Sequence, residues 1–527
     1  MKILISDPIT EEGLELIKGS GLDVDYLPDA SQDEKEDSAK DAHGWIIRSG
    51  TSITSSSFEI AKNLMVIGRA GVGVDNIDLS SATRKGVVVM NTPDANTISA
   101  AEHTVAIMLT LSRNIHQGHL SLQKGRWDRH KLVGTELSGK ILGVIGLGKI
   151  GIEVIRRCQS FNMKIIAYDP YVNQEMFENQ NIQFVDIDLL TCQSDYITIH
   201  VPFNNATKNL FNYERLSMMK PSAKIINVAR GGIINESDLS DILRKNVIAG
   251  AAIDVFKNEP INNKHPLVGL KNVLLTPHLG ASTKEAKAGV SKIICKQIIE
   301  YLINEKLSNA INMPIKNLEL LEKIQPSLDL ALLLGEIQSQ ISNSAITKVE
   351  IKCFGSIKDT KLIHLAFIRG LLKDRVPDRI NYINAETMAS ELGISFNVGY
   401  SNDISNHSNI ISTIALSADG VKNRIDGSIF DNNLPRLINI NNYQMEITPI
   451  GTMLFINNID VPGVIGSVGT FLGKQDINIA AYILSRNSND GNAFAVIRVD
   501  NQLSTEQIKI LCKMNFIERC KQIILND

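Results

Sequence analysis

The sequence predicts an α/β chain of several domains with a doubly wound parallel sheet at its centre, and three observations predict it. Short apolar runs alternate with polar segments of helical length from the first residues to about Leu275, the pattern of parallel strands covered on both faces. The run Ile141–Ile145 leads into Gly146, Gly148 and Gly151, spaced G-x-G-x-x-G, and a helical pattern follows from Glu153. The next apolar run ends at Tyr168 and is followed by Asp169, about 20 residues past the first glycine, where this motif requires an acid.

Each part of that motif has a physical reason. The first glycine permits the tight strand-to-helix turn, the second lets backbone approach a pyrophosphate, and the third lets the helix pack on the strand. The helix N-terminus then offers unpaired N–H groups to phosphates. A carboxylate at Asp169 accepts ribose hydroxyls and repels a 2′-phosphate, so NAD is expected rather than NADP. An ordinary glycine turn would explain the glycines alone. It would not explain strand, helix and acid at the right distances.

The length of 527 residues leaves room for about three or four domains. A formal net charge of −3 with interspersed signs gives no reason to expect nucleic acid or a membrane surface as partner. Six scattered cysteines form no C-x-x-C pair, which argues against zinc and against a disulfide framework, so no metal is expected and a reducing cytoplasm is the simplest location. The N-terminal MKILISDPITEEG breaks at Asp7 and Pro8, too soon for a signal peptide. It reads as a first strand and turn.

From Met1 to about Asn91 the runs Ile3 to Ile5, Val24 to Tyr26, Trp45 to Ile47, Val66 to Ile67 and Val87 to Val89 make a first α/β unit. Two of its strands run into arginine, at Arg48 and Arg69, and ligands of open sheets collect beyond the carboxyl ends of strands. Gly71 and Gly73 would let backbone amides close on an anion. Either arginine alone reads as a surface ion-pair former; two at equivalent strand ends raise an anionic ligand to an equal reading. After the loop PDANT, Ser99 and Glu102 match a capping box opening an apolar helix that should be buried between two units. The polar stretch 116–137 then carries Trp127, placed as a subunit anchor.

The central unit continues through runs at Ile165 to Tyr168, Tyr196 to Val201, Ile225 to Val228, Ile248 to Ile253 and Val273 to Leu275, six strands counting Ile141 to Ile145. Functional residues belong at their carboxyl ends, where Arg230, Glu259 and His278 stand. Alone, a histidine after a turn is a satisfied polar group and a glutamate before proline a cap. Together they can oxidise a secondary alcohol. Imidazole takes the hydroxyl proton, a carboxylate on its other nitrogen fixes the tautomer, and arginine grips a carboxylate bidentately.

The stretches GRAGVGVDNID, NTPDANTISAAEHT, GVIGLGKIG, INVARGG, DVFKNEP and TPHLGAST together resemble the D-isomer-specific 2-hydroxyacid dehydrogenases over about residues 1 to 310. The resemblance implies a Rossmann-type NAD domain (96–279) inserted in a flavodoxin-like substrate domain (1–95 and 280–312), with Arg230, Glu259 and His278 catalytic. It also implies cofactor contacts from Gly146, Gly148, Lys149, Ile150, Gly151, Asp169, Val201, Val228, Ala229, Arg230, Asp254, His278 and Gly280. Substrate contacts are implied for Arg48, Ser49, Arg69, Gly71, Asn96 and, from a neighbouring subunit's arm, Arg129. Val72 and Val201 depart from animal members, where threonine stands, which leaves only backbone contacts at those two places.

Residues 315–450 show apolar periodicity with no nucleophile, metal cluster or phosphate loop, and resemble the α+β intervening domain of the long, phosphoglycerate-oxidising members of that family. A spacer with its own core is the simplest reading there, and an effector site the other. Residues 451–527 have a βαββαβ order that resembles an ACT domain, a unit that commonly binds amino acids where two copies meet. Asn458, Asp460 and Asn478 stand at the effector positions, with only the last matching the serine-inhibited relatives. L-serine feedback and a pure dimerisation role are therefore both open. The whole resemblance implies NAD-dependent oxidation of 3-phospho-D-glycerate to 3-phosphohydroxypyruvate, entry to serine synthesis, by a homo-oligomer, dimer or tetramer. The alternatives are a glyoxylate or hydroxypyruvate reductase, and a nucleotide-sensing corepressor on the same scaffold.

Overall fold

The computed structural model describes residues 1–315, 319–355, 357–377, 379–402, 409–430, 434–487 and 491–525. The first apolar runs become β1 (Lys2–Ile5), β2 (Asp23–Tyr26), β3 (Gly44–Ile47), β4 (Val66–Arg69) and β5 (Val88–Met90), all parallel in the order β2-β1-β3-β4-β5. That is the flavodoxin-like order. β3 and β5 are buried along their whole length, as expected of strands covered on both faces.

The second sheet holds β6 (Ile141–Ile145), β7 (Lys164–Tyr168), β8 (Ile182–Phe184), β9 (Tyr196–Ile199), β10 (Lys224–Asn227), β11 (Gly250–Ile253) and β12 (Val273–Leu275). Its order is β12-β11-β10-β9-β6-β7-β8, parallel throughout. The order reverses beside β6, so the switch point falls at Gly146. The sequence reading counted six strands. The seventh, β8, is three residues, IQF, at the sheet edge with none of them buried, too short and too polar to register as an apolar run.

The chain crosses between these lobes twice. The first crossing is helix Thr97–Ser112, whose Val105, Met108 and Leu111 pack against Leu142 and Val144 of β6. It starts two residues before Ser99, so the expected capping box at Ser99 and Glu102 does not exist. Asn96 holds the N-cap position without a side-chain cap bond, and Ser99 Oγ instead lies 2.8 Å from Thr283 Oγ1 at the second crossing. There Thr283 caps helix Lys284–Asn304, accepting from Ala286 N. That helix lays Val290, Ile294 and Ile298 back on Ile3, Ile5 and Val66 of the first sheet.

Residues beyond 319 form two more sheets. A six-stranded sheet of order β14-β13-β15-β16-β17-β18 uses β13 (Ile346–Phe354), β14 (Ser395–Ser401), β15 (Ile410–Ser417), β16 (Lys422–Phe430), β17 (Leu434–Ile440) and β18 (Tyr443–Ile447). Helices Gln325–Ile341 and Thr360–Leu372 pack over it. The last sheet, β19 (Thr452–Ile459), β20 (Ile479–Asn487), β21 (Asn492–Val499) and β22 (Ile517–Ile524), is antiparallel in the order β20-β21-β19-β22, with helices Val464–Lys474 and Thr505–Cys512. Most of the expected turn at 487–491 lies outside the described residues. The two C-terminal sheets are not independent. Met453, Phe455, Phe494 and Val496 join the cluster that holds Ile337 and Phe367, and Tyr443 stacks on Phe494. Among the described residues no helix is long and apolar enough to cross a membrane.

Candidate active site

Because the second sheet is parallel, Gly146 after β6, Asp169 after β7, Arg230 after β10, Asp254 after β11 and His278 after β12 all stand at one edge. Gly146 has φ +93°, and a Cβ on Gly151 would lie 2.1 Å from the Gly146 carbonyl oxygen, so helix Lys149–Gln159 meets the turn by backbone contact. At Gly148 nothing stands within 4 Å of where a Cβ would be, and the helix that begins there carries no side-chain cap. Its N–H groups are thus open to an anion. Asp169 is fixed by the Leu147 and Tyr171 N–H groups at 2.9 Å each, one on each oxygen, and both oxygens keep lone pairs for hydroxyl donors. Lys149, at the start of the helix, pairs with Asp94 of the loop before the first crossing. The chain's residues therefore fit a dinucleotide with an unphosphorylated ribose.

His278 and Glu259 meet. Nδ1 of His278 is 2.7 Å from Oε2 of Glu259, whose Oε1 accepts the Phe256 N–H at 2.9 Å. With both carboxylate oxygens engaged, the ring orientation is set and Nε2 is left for chemistry; His278 remains 48% exposed, enough for a substrate to reach it. The backbone of His278 has φ +53°, a left-handed conformation that its N–H bonds to the Asp254 and Thr276 carbonyls sustain.

Asp254 is the anchor of that turn. Fully buried, it accepts from Thr276 Oγ1 at 2.6 Å, Leu279 N at 2.8 Å and Gly280 N at 2.9 Å, and His103 Nε2 lies 3.2 Å away. Burial opposes its ionisation, but the bonds from His103, Thr276, Leu279 and Gly280 outweigh it and hold the carboxyl below its ordinary value. Sequence reasoning missed His103 and Thr276. It also missed Asn227, whose side chain donates to the Arg230 carbonyl and accepts from Ala229 N, bracing the 228–230 loop; an Asx-type turn before Arg230 was the available signal.

The first lobe brings its arginines to the same place. Burial, then repulsion from Arg230 and Arg48, pushes Arg69 down to about 10, and its Nε has no partner. Arg48 and Arg69 follow β3 and β4, with Ser49 exposed beside Arg48 and Gly71 closing a tight turn onto the Arg69 carbonyl. Asn96 Oδ1 is also buried without a partner at the mouth of the first crossing. Val201 lies against Gly146, and Val228 against Gly280; Ile150, beside Gly151, and Ala229, beside Val228, are half-buried. Arg129 is on a separate arm, in a short turn at Arg129–Lys131 that follows helix Ile115–Gln123. Trp127 on that arm is 80% exposed.

The three candidate effector residues do not come together within one chain. Asn458 is buried at the end of β19 opposite Ala493, and Asp460 beside it pairs with Arg486. Asn478 precedes Ile479, which faces Val499, and donates to Asp500. Six residues along β21 separate the two places, roughly 20 Å at strand rise.

Residues 105–280 match the family model described as D-isomer specific 2-hydroxyacid dehydrogenase, NAD binding domain, and residues 323–441 the D-3-phosphoglycerate dehydrogenase intervening domain. The chain is 40% identical to D-3-phosphoglycerate dehydrogenase of Methanocaldococcus jannaschii over 97% of each chain, and 36% identical to that of Archaeoglobus fulgidus over 98% of each. Among solved structures, NAD-dependent formate dehydrogenase from Staphylococcus aureus in complex with NAD is 30% identical, with TM-score 0.53, over 58% of this chain and 97% of that one.

Proposed function

The chain belongs to the D-3-phosphoglycerate dehydrogenase family, and from that premise we propose that its site oxidises 3-phospho-D-glycerate to 3-phosphohydroxypyruvate with NAD, the first step of serine synthesis. The observation that carries the proposal is the His278–Glu259 pair on the glycine-turn edge, with Arg230 and Arg48 both close enough to repel Arg69. Such a cluster suits a ligand with two anionic groups. NAD, held by Gly146, Gly148, Gly151 and Asp169, supplies the hydride acceptor. Lys149, Ile150, Val201, Val228, Ala229, Asp254 and Gly280 complete its surroundings.

His278 takes the C2 hydroxyl proton on Nε2, and Glu259 stabilises the imidazolium that forms. Arg230 holds the substrate carboxylate and polarises the oxygen at C2. Arg48 and Arg69, with Ser49 and Gly71 beside them, receive the phosphate, and Asn96 offers its free oxygen to the substrate. Arg129 completes the phosphate site of a neighbouring subunit, with exposed Trp127 anchoring that contact. The domains divide at 95/96, 279/280, about 315 and 450/451, and the protein works in the cytoplasm as a dimer or tetramer. Any amino-acid effector at Asn458, Asp460 and Asn478 binds between two copies, because one copy cannot assemble the set.

A reductase of small 2-oxo acids and a corepressor are disfavoured by the similarity to D-3-phosphoglycerate dehydrogenases over nearly the full length. Steady-state turnover of the full chain tests the proposal, with NAD and NADP, on 3-phospho-D-glycerate and on D-glycerate. Efficient turnover is expected only for NAD with the phosphorylated acid. Equal kcat/KM for D-glycerate would refute the phosphate role of the arginines.

A further inference from the structure

The loop after β4 carries a residue that strand-end reasoning does not mark. Asp75 Oδ2 accepts from Arg230 Nε at 3.2 Å, a pair that spans the cleft between residues 155 apart in the chain. Gly73, two residues earlier, lies so near that a Cβ there would stand 2.1 Å from Arg230 Nη2 and 2.9 Å from Asp75 Oδ2. The loop therefore wraps the guanidinium closely. Nη1 is occupied as well, donating to the Ala229 carbonyl at 2.7 Å.

A guanidinium grips a carboxylate bidentately along an edge, with Nε and one Nη or with both Nη groups. Asp75 holds the first edge through Nε, and Ala229 holds a member of the second. A substrate carboxylate cannot take the Nε edge while Asp75 stays, and a second negative charge within a few ångströms would repel it. The other carboxylate near the cluster plays a different part. Asp7 is buried and accepts the Arg48 and Thr51 N–H groups, so it is built into the β1–β3 framework. Asp75 is 66% exposed and free to turn to water when displaced.

We propose that Asp75 is an internal competitor for Arg230, a positioning residue whose carboxylate the substrate's own carboxylate must displace. The inference rests on the reading of Arg230 as the carboxylate-binding group. Competition of this kind lowers every carboxylate's apparent affinity by one common factor and leaves the chemical step untouched. For a partly exposed pair that factor is about three- to fivefold.

The test compares Asp75→Asn with the wild-type full chain. KM for 3-phospho-D-glycerate and the dissociation constant of oxalate, a carboxylate probe followed by calorimetry, are both expected to fall about three- to fivefold. kcat should stay within about twofold, and the difference should shrink in high salt. Asp75→Ser should reproduce all of this. A KM that rises or does not change, or two constants that move by different factors, would overturn the proposal, because a merely structural loop residue would weaken binding and slow turnover together. The oxalate measurement needs no turnover. If the wild type failed to oxidise phosphoglycerate, the functional reading would fall while oxalate still decided the competition.

Discussion

Asp254 illustrates how much of this site's geometry is set by a buried acid behind the imidazole. Its carboxylate gathers Thr276, Leu279 and Gly280, and its carbonyl takes the His278 N–H, so one buried acid fixes the left-handed turn that presents the imidazole. Its carboxyl lies below the ordinary value, so the folded chain binds this proton more weakly than the unfolded chain does. The stabilisation is then complete above the unfolded value, about 4, and disappears as pH falls through the folded one. Asp254→Asn should therefore lower the thermal midpoint at pH 7, and the gap to wild type should narrow in acid below about pH 4. A gap that stays constant with pH would remove Asp254's ionisation from the explanation. The resemblance marks Asp254 as a cofactor contact rather than as the anchor of this turn, and it does not mark His103. A histidine inside an apolar helix carries no sequence mark of the acid it meets 151 residues later.

Among the elements, the β6 turn and its helix were the most legible, because glycine spacing, helix start and terminal acid are local and mutually consistent. Helix Thr97–Ser112 was legible as a buried bridge, but its start was misplaced. Ser99 fits a cap pattern locally, yet tertiary structure gives its hydroxyl to Thr283. The strands β13 to β18 were not read as strands at all. In β13 the buried residues are Ile346, Val349, Ile351 and Cys353, at intervals of three, two and two, so the two-residue period is blurred and helical and extended readings compete. The glycine turn yields a sharp prediction. Gly151→Val would place side-chain carbon 2.1 Å from the Gly146 oxygen, forcing the helix off β6. NAD binding measured by fluorescence should fall by more than about 100-fold, a loss of ~3 kcal/mol, while oxalate still binds at the arginines. Wild-type NAD affinity in this variant would contradict the packing role of the third glycine.

For the whole molecule, division of the chain into successive units is too simple beyond the catalytic lobes. The C-terminal sheet shares its core with the preceding sheet through Met453, Phe455 and Phe494, so removing residues from 451 alone would uncover a continuous apolar surface. The join near Asn312 is narrower, though not bare. Ile383 packs with Val88 and Met313, Asn381 Nδ2 donates to the Gly86 carbonyl, and Arg379 reaches Glu305. A chain ending after Asn312 should keep phosphoglycerate oxidation within about tenfold and lose any response to amino acids, with a lower thermal midpoint from exposing Val88 and Tyr301. A folded but inactive truncation would make the C-terminal half part of the catalytic machinery. Long-range joins of this kind leave no local trace in sequence, since Asn381 and Gly86 lie 295 residues apart.

The central claim is that proton removal by His278 drives the chemistry at a site whose cofactor is held elsewhere on the same sheet edge. The most direct measurement is kcat for 3-phospho-D-glycerate in His278→Ala beside the NAD dissociation constant by fluorescence. A fall in kcat of about 100- to 10,000-fold is expected, with NAD affinity changed by no more than a few-fold. Turnover near the wild-type rate would contradict it.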